Sequence, residues 1–236
     1  MRTIIEFAIT KRCLSIDYRY ACMSFIKNIL AKHYPKKLDE LYGSNVMKQF
    51  TFSLFVPKAK IDNKTIQCGE DKIFLEISSA DEAFIYMLYN GALRERGKAY
   101  PFPDELFVVV KNVKIAKIPQ ITASTVKIKM KSPLLVRKHI SSSNIDEYLT
   151  PQDGEFDDIF QLNTNNLLSA INKSPEQVKL TPINCKNTAV LLKGKYFKCN
   201  YGIFLLSGTP ELLTLLSNTG IGSRRSQGFG MFELEG

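Results

Sequence analysis

The sequence predicts an α+β protein made of two tandem units, each with an antiparallel sheet, and three observations favour this fold class. In the first half, stretches with a hydrophobic residue at every second position alternate with stretches at helical spacing. The second half shows a similar alternation. Pro119 interrupts the pattern between them. The predicted domains are therefore residues 1–118 and 119–236.

The elements of the first half follow one another in the order β-α-β-β-α-β. They are a strand over Ile4–Ile9, a helix over Tyr18–Leu30 with Asp17 as its N-cap, a half-buried strand over Gln49–Val56, a strand ending at Ile73–Ile77, a helix opened by Asp81, and a strand over Leu106–Ile118. This order is that of the split-βαβ unit, which is ferredoxin-like or RRM-like.

The hydrophobic pattern of the second half predicts a similar alternation of strands and helices. They are strands over Ile121–Met130 and Leu134–Arg137, a helix over Asp157–Leu168, strands over Ala189–Leu192 and Lys195–Leu206, a short helix capped by Thr209, and a final strand that includes Phe229, Met231 and Phe232. Two ferredoxin-like units in tandem are therefore the predicted architecture.

Composition favours a protein with real cores and a polyanionic partner. Of 236 residues, 44% are hydrophobic, and 32 lysines and arginines against 23 acidic residues give a formal charge of +9. Five scattered cysteines without a C-x-x-C pair, and only two histidines, argue against a zinc site and for a reducing compartment. The apolar run at the N-terminus breaks at Glu6, which excludes a signal peptide there, so the expected location is cytoplasmic.

The segment after the last helix contains two Gly-x-Gly pairs around a basic centre. Its predicted phosphate-binding residues are Gly220, Gly222, Ser223, Arg224, Arg225, Ser226, Gln227, Gly228 and Gly230. Paired glycines let a ligand approach the main chain, and the basic centre favours a polyanion. The segment is neither a dinucleotide fingerprint nor a P-loop, because it lies between a helix and a strand and lacks Gly-Lys-Ser/Thr.

A second basic feature lies upstream of that loop. No acidic residue occurs from Leu106 to Ile145, and Val126–Lys131 alternates strictly between apolar residues and lysine. Lys127, Lys129 and Lys131 are therefore predicted to share one face of a strand, and together with Arg137 they form a candidate RNA-binding surface. The acidic group Asp153, Glu155, Asp157 and Asp158 is instead read as the N-terminus of a helix, and no metal site is predicted there.

The glycine-rich segment resembles the C-terminal motif of the CRISPR repeat-processing endoribonucleases, the sixth Cas protein family of the RAMP superfamily. Weaker similarity covers Lys48–Ser53, Lys131–Val136, Tyr148–Asp153 and Gly202–Pro210. The resemblance implies two ferredoxin-like domains, repeat-RNA binding, and cleavage without a metal or other cofactor. In such cleavage the 2′-hydroxyl of the RNA attacks, which leaves a 5′-hydroxyl and a 2′,3′-cyclic phosphate.

The candidate catalytic residues are His33, Tyr42 and Lys48. Histidine is the usual acid or base near neutral pH, and His33 closes the first predicted helix beside a basic pair. The resemblance implies a lysine at Lys48 and a histidine six residues before it, but Tyr42 stands at that place. Either His33 takes over, or Tyr42 and Lys48 suffice, or the protein binds without cutting.

Three functions remain open at this stage. The first is an endoribonuclease that cuts precursor CRISPR RNA within each repeat. The second is a repeat-RNA-binding subunit that no longer cleaves and serves, with other Cas proteins, in an interference complex. The third is a general RNA-recognition module. A homodimer is open in each case.

Overall fold

Two antiparallel sheets with the same internal strand order form the two halves of the protein. The computed structural model describes residues 1–44, 46–62 and 64–235. The elements of the first half are β1 (Arg2–Ile9), β2 (Cys13–Ser15), α1 (Arg19–His33), α2 (Pro35–Tyr42), β3 (Phe50–Phe55), β4 (Lys60–Ile61), β5 (Thr65–Gln67), β6 (Lys72–Ser79), α3 (Glu82–Arg94), β7 (Ala99–Phe102) and β8 (Leu106–Ala116). Helix α2 is not predicted by the sequence analysis.

The second half contains two long strands and one inserted hairpin. Its elements are β9 (Thr125–Met130), β10 (Val136–Ile140), β11 (Ile145–Leu149), α4 (Phe156–Ala170), β12 (Lys179–Leu192), β13 (Lys195–Ser207), α5 (Pro210–Thr219), a 3₁₀ turn (Arg225–Gln227) and β14 (Phe232–Leu234). The β10–β11 hairpin stands between the first strand of this half and its first helix.

The strand orders show how the halves correspond. The first main sheet runs β3-β6-β1-β8-β7 and the second runs β12-β13-β9-β14, with antiparallel neighbours throughout. Strands β1, β3, β6 and β8 of the first sheet correspond in chain order to β9, β12, β13 and β14 of the second. With this correspondence the two sheets have the same strand order, and β7 is an added edge strand. The main sheet and helices of each half thus follow the β-α-β-β-α-β order that the sequence predicts for the first half, with the β10–β11 hairpin inserted in the second.

Each half has its own hydrophobic core. The core of the first half extends in sequence from Ile5 to Val113, and that of the second from Ile121 to Phe232. The predicted boundary at Pro119 falls between these two sets. A third, smaller cluster packs around Phe197 and Phe229, beneath the glycine-rich segment.

Local capping signals are correct for two helices and wrong for one. Asp81 accepts a hydrogen bond from Phe84 N at the start of α3, and Thr209 accepts one from Leu212 N at the start of α5. Asp17 does not cap α1; its carboxylate accepts from the backbone of Lys193 and Gly194 in the β12–β13 turn. None of the helices in the described ranges is long and apolar enough to cross a membrane.

Strand β3 departs from the half-buried strand that its alternation predicts. Phe50, Phe52 and Leu54 lie in the first core as expected. The opposite face is buried as well, because Thr51 Oγ1 donates to Phe229 O at 2.7 Å and Ser53 Oγ donates to Lys131 O at 2.8 Å. Residues of the second half therefore cover the polar face of β3.

The end of the chain also differs from its prediction. Only Phe232–Leu234 forms a strand, β14, which pairs with β9. Phe229 and Met231 are fully buried but precede that strand, so their apolar character reflects packing and not strand periodicity.

The predicted acidic group lies at the start of α4. Asp157 and Asp158 occupy its first turn, where carboxylates interact favourably with the helix dipole. Asp153 accepts hydrogen bonds from the backbone and side chain of Thr150. Glu155 pairs with Lys138.

All five cysteines are free thiols. Burial raises the pKa of Cys22 and of Cys199 to about 12. These two side chains are therefore protonated at neutral pH and pack as small apolar groups.

Candidate functional site

The glycine-rich loop, residues 220–230, packs tightly against β3. A Cβ at Gly228 would lie 2.7 Å from a ring carbon of Phe52, and one at Gly220 would lie 2.9 Å from Thr51 Cβ. Both glycines have positive φ, +86° and +78°, a region that other residues rarely adopt. The paired glycines therefore allow a close approach, as predicted, but the group that approaches is β3 of the first half and not a ligand.

Several backbone groups of the loop are engaged in internal hydrogen bonds. Ser223 N donates to Leu135 O at 2.7 Å, Gly230 N donates to Pro133 O at 2.9 Å, and Ile221 N donates to Gly230 O at 2.9 Å. The Ser223 hydroxyl donates to Asn163 Oδ1 of α4. These amides hold the loop in place, so the prediction that main-chain amides grip phosphate does not fit Ser223 and Gly230.

The two adjacent arginines of the loop have different surroundings. Arg225 is 5% exposed, and its Nη1 donates to Gly222 O at 2.8 Å. Burial lowers the pKa of Arg225 to about 10. Its guanidinium therefore lies inside the protein, away from the surface where the sequence analysis expects it to meet phosphate. Ser226 and Gln227, which follow, are half-buried.

Arg224 is the loop arginine that reaches the surface, where it joins a cluster around Asp146. Asp146 Oδ2 lies 3.1 Å from Arg224 Nη2 and 3.2 Å from Arg137 Nη1, and Asp146 Oδ1 lies 2.9 Å from His139 Nδ1. The Arg224 guanidinium also stacks 5.1 Å above the ring of Phe197. Burial alone would raise the pKa of Asp146, but the hydrogen bond to His139 and the charges of Arg137 and Arg224 lower it.

This cluster brings together two predicted RNA-binding residues that are far apart in the sequence. Asp146 itself was missed. The available signal was that Asp146 is the first acidic residue after the long acid-free tract, directly at the end of the predicted basic region.

The lysine stripe of Lys127, Lys129 and Lys131 occupies one side of β9, as predicted. Lys127 and Lys129 are exposed, whereas Ile128 and Met130 between them are buried. Two of the three lysines have carboxylate partners from outside the acid-free tract. Lys127 pairs with Glu235 at 3.4 Å, and Lys131 pairs with Glu76 at 2.9 Å and with Glu233 at 3.4 Å.

The stripe borders a groove of about 770 Å³ between the two halves. β3 forms one wall with Phe55, which is 54% exposed, and β9 forms part of the other with Lys129 and Lys131. Lys186 of β12 and Tyr201 of β13 extend the second wall. Glu76 and Glu233, which pair with Lys131, also line the groove. Sites for a single nucleic-acid strand combine exposed aromatic rings with cations, because bases stack and phosphates pair with the cations.

Tyr42 and Lys48, predicted as a pair, are adjacent. Lys48 Nζ lies 4.6 Å from the centroid of the Tyr42 ring, and Lys27 Nζ of α1 lies 4.2 Å from the same centroid. Burial raises the pKa of Tyr42 to about 12. Burial, and then the Lys27 charge, lower the pKa of Lys48.

The Tyr42 ring lines a cavity of about 450 Å³ between α1 and α2, called here the Tyr42 pocket. Its lining residues are Ser24, Lys27, Asn28, Ala31, Leu38, Asp39, Tyr42, Gly43 and Tyr100. Lys27 and Asn28 were missed by the sequence analysis. The signal was their polarity within an otherwise apolar stretch of α1.

His33, the third predicted catalytic residue, lies elsewhere. Its Nε2 is 2.9 Å from Glu95 Oε1 at the end of α3, and Glu95 is 5% exposed. Helical geometry places His33 about 200° around α1 from Ala31, which lines the Tyr42 pocket. The structure thus groups Tyr42 with Lys48 and separates His33 from them.

Comparisons with known proteins give one consistent result. Residues 116–234 match the family model described as CRISPR associated protein Cas6, C-terminal. The chain is similar to CRISPR-associated endoribonuclease Cas6 1 of Methanocaldococcus jannaschii, with 27% identity over 227 residues, 91% of this chain and 85% of the relative. It is 24% identical over 225 residues to CRISPR-associated endoribonuclease Cas6 of Pyrococcus furiosus, covering 93% and 83%. The fold is that of a solved Cas6-related protein from Pyrococcus furiosus, with a TM-score of 0.88, 22% identity and coverage of 100% and 98%.

Proposed function

We propose that this chain, which belongs to the Cas6 family of CRISPR-associated proteins, is an endoribonuclease that binds CRISPR repeat RNA and cuts precursor RNA within each repeat without a metal. The observation that carries the proposal is the contact of Lys48 with Tyr42 at the edge of an open pocket. These two residues stand where the family resemblance calls for the catalytic histidine and lysine. The family resemblance and the contact of these two side chains therefore both support this pocket as the site of cleavage.

The proposed reaction uses the 2′-hydroxyl of the RNA as nucleophile. A P–O2′ bond forms, the P–O5′ bond breaks, the 2′-hydroxyl loses its proton and the leaving 5′-oxygen gains one. The products are a 2′,3′-cyclic phosphate and a 5′-hydroxyl. With a pKa of about 12, Tyr42 stays protonated at neutral pH and acts as a proton donor or hydrogen-bond donor, not as a base. Lys48 faces the charge that develops on the phosphorane.

The proposed RNA-binding surface combines the groove and the Asp146 cluster. Lys129 and Lys131 would pair with phosphates along one wall of the groove, and Phe55 offers a ring on the other. Lys127, which precedes them on the same side of β9, would extend this row beyond the groove. Arg224 and Arg137 would add a second phosphate site when RNA displaces Asp146. The glycines of the loop support this surface by letting the chain turn beside β3.

The domain organisation is part of the proposal. We take residues 1–118 and 119–236 as two ferredoxin-like domains, supported by their shared strand order and separate cores. The proposed partner is repeat RNA.

The second candidate is a repeat-RNA-binding subunit that does not cleave. It is favoured by one specific observation: Tyr42 replaces the expected histidine, and His33 is held by Glu95 on another face of α1. A protein with the RNA surface and without an effective base would still deliver bound RNA to other Cas proteins.

Incubation of the purified protein with repeat RNA in EDTA tests the proposal. The expected result is discrete cutting at one position, with a 5′-hydroxyl on the downstream product. A single 2′-deoxy substitution at the scissile nucleotide should abolish that cut while leaving binding intact. A gel shift without cleavage, at protein in excess over RNA, would refute the enzyme and support the second candidate. Equal affinity for unrelated single strands would refute both.

A further inference from the structure

One face of α1 supplies several groups to the Tyr42 pocket. Ser24, Lys27, Asn28 and Ala31 are spaced by three or four residues, so they lie on the same side of the helix, and all four line the pocket. The pocket is therefore built by α1 as much as by α2 and the residues that follow it.

The ammonium group of Lys27 contacts the aromatic ring of Tyr42 and not a carboxylate. In the part of the chain that the structure describes, no carboxylate lies within 4.0 Å of Lys27 Nζ or Lys48 Nζ, whereas nearby Lys32 and Lys37 both form ion pairs. The ammonium groups of Lys27 and Lys48 each lie within 5 Å of the centroid of the Tyr42 ring, so they are no more than about 9 Å apart. Two unneutralised cations at this distance attract an anion between them.

Asn28 provides an independent sign of a ligand. Its Nδ2 is buried and has no hydrogen-bond acceptor among the described residues, although the side chain lines the same pocket. A buried amide donor without a partner costs free energy. An oxygen atom of a ligand in the pocket would remove that cost.

We propose that Lys27 is a further catalytic residue of the cleavage reaction and that Asn28 binds the scissile phosphate. The ammonium group of Lys27 and the amide of Asn28 hold the non-bridging oxygens. Lys48, in its uncharged form, accepts the 2′-hydroxyl proton, and as the resulting ammonium group it faces the charge that develops on the phosphorane. Tyr42 donates its proton to the 5′-oxygen as the P–O5′ bond breaks. The inference rests on the proposed endoribonuclease function.

Lys27 has a second effect, through the charge that it places beside Lys48. Lys48 and Lys27 both lie against the ring of Tyr42. The other titratable groups that line the pocket are Asp39 of α2 and Tyr100 of β7, which donates a hydrogen bond to Ser24. Because the Lys27 charge lowers the pKa of Lys48, it increases the fraction of Lys48 that is neutral at a given pH. Removal of this charge therefore raises the pKa of Lys48 and shifts the rising part of the pH–rate profile to higher pH.

Four variants test these roles by single-turnover cleavage of repeat RNA in EDTA, between pH 6 and 10. Lys27→Gln should slow cleavage about 10²-fold at neutral pH, the usual cost of removing one group that stabilises the transition state. Lys27→Arg keeps the charge and should stay within about tenfold of the wild type. Lys48→Arg keeps the charge but cannot accept a proton, so it should lose cleavage while binding RNA. The control is Lys36→Gln, which removes the same charge from an exposed position on α2 outside the pocket and should leave the rate unchanged.

Asn28→Leu separates a ligand-binding role from a structural one. Leucine has a similar size and removes a donor that the protein leaves without a partner, so thermal stability should not fall. Cleavage should nevertheless slow about tenfold, the loss of one hydrogen bond to a charged group. NMR titration of ¹³C-labelled lysine side chains should show a higher pKa for Lys48 in Lys27→Gln.

The outcomes distinguish this inference from the function on which it rests. If wild-type protein binds repeat RNA and does not cut it, both are wrong. If wild-type protein cuts and Lys27→Gln cuts equally fast, or if Lys27→Arg is as slow as Lys27→Gln, only the role of Lys27 is wrong. A Lys48 pKa that does not change in Lys27→Gln would refute the coupling between the two lysines.

Discussion

Substitution of Gly228 by alanine tests whether the glycine-rich motif serves packing between the two halves. The new Cβ would lie 2.7 Å and 2.9 Å from two carbons of the Phe52 ring, which is fully buried in the first core. Gly194 is the matched control, because it also has positive φ, +72°, but no atom lies within 4 Å of its added Cβ. The backbone cost of alanine in the left-handed region, about 1–2 kcal/mol, applies to both variants.

The difference between the two variants isolates the clash with Phe52. Overpacking a rigid site costs about 1–3 kcal/mol, which corresponds to roughly 2–12 °C in Tm for a chain of this size. Thermal and urea unfolding of Gly228→Ala and Gly194→Ala measure it. The second arm adds Phe52→Leu, which should cost less in the Gly228→Ala background than in the wild type because it makes room for the methyl group. Equal unfolding of the two alanine variants, or additive effects of the pair with Phe52→Leu, would refute a packing role for Gly228.

Three further predictions concern charged side chains. His33→Ala should lower stability by about 1.5–3 kcal/mol, the loss of one hydrogen bond to a charged group, and leave the single-turnover cleavage rate unchanged; a large rate loss in folded protein would return His33 to the cleavage site. Burial would raise the pKa of Glu95, but hydrogen bonds with Lys32, His33 and Lys98 lower it from 4.5 to about 2. The ionised Glu95 therefore stabilises the fold by about 1–3 kcal/mol. This stabilisation is complete above pH 4.5 and is lost as the pH falls toward 2. Melting curves of wild type and Glu95→Gln should therefore differ at pH 6 and converge near pH 2, and a constant difference would contradict this. Arg224→Ala should reduce the slope of log affinity for RNA against log salt by about one, whereas the buried Arg225 makes no such contribution; equal slopes for Arg224→Ala and the wild type would argue against Arg224 as a phosphate ligand.

The features that the sequence predicts well depend on local interactions. Asp81 and Thr209 cap their helices because each side chain accepts a hydrogen bond from a backbone N–H only three residues later. The alternation of β9 is correct because one face of the strand is buried and the other is exposed. Tyr42 and Lys48 lie together in space, since only a few residues separate them in the sequence; their role in cleavage stays a prediction.

The features that it misses depend on contacts between distant segments. His33 forms a hydrogen bond with Glu95, which lies 62 positions later, and the residues around His33 do not predict this contact. The alternation of β3 is correct, but its polar face is covered by a loop that comes some 178 residues later. Lys27 belongs to the candidate site only because α2 folds back along α1, and α2 itself was not predicted.

Lys131 shows how the motif and the basic stripe depend on each other. Its carbonyl accepts from Ser53 of β3, its N–H donates to Met231 O at the end of the glycine-rich loop, and its ammonium group pairs with Glu76 of β6. One residue of the stripe is therefore fixed at once by the first sheet and by the loop. The groove lies between β3 and the wall that includes Lys131. The loop packs against β3, and Met231 just after it holds Lys131. The loop can therefore influence RNA binding by fixing the spacing of the two walls, although it does not line the groove and Arg225 does not reach the surface. The arginine and glycine positions of one motif thus have separate physical roles: Arg224 for charge at the surface, and the glycines for the geometry of the groove.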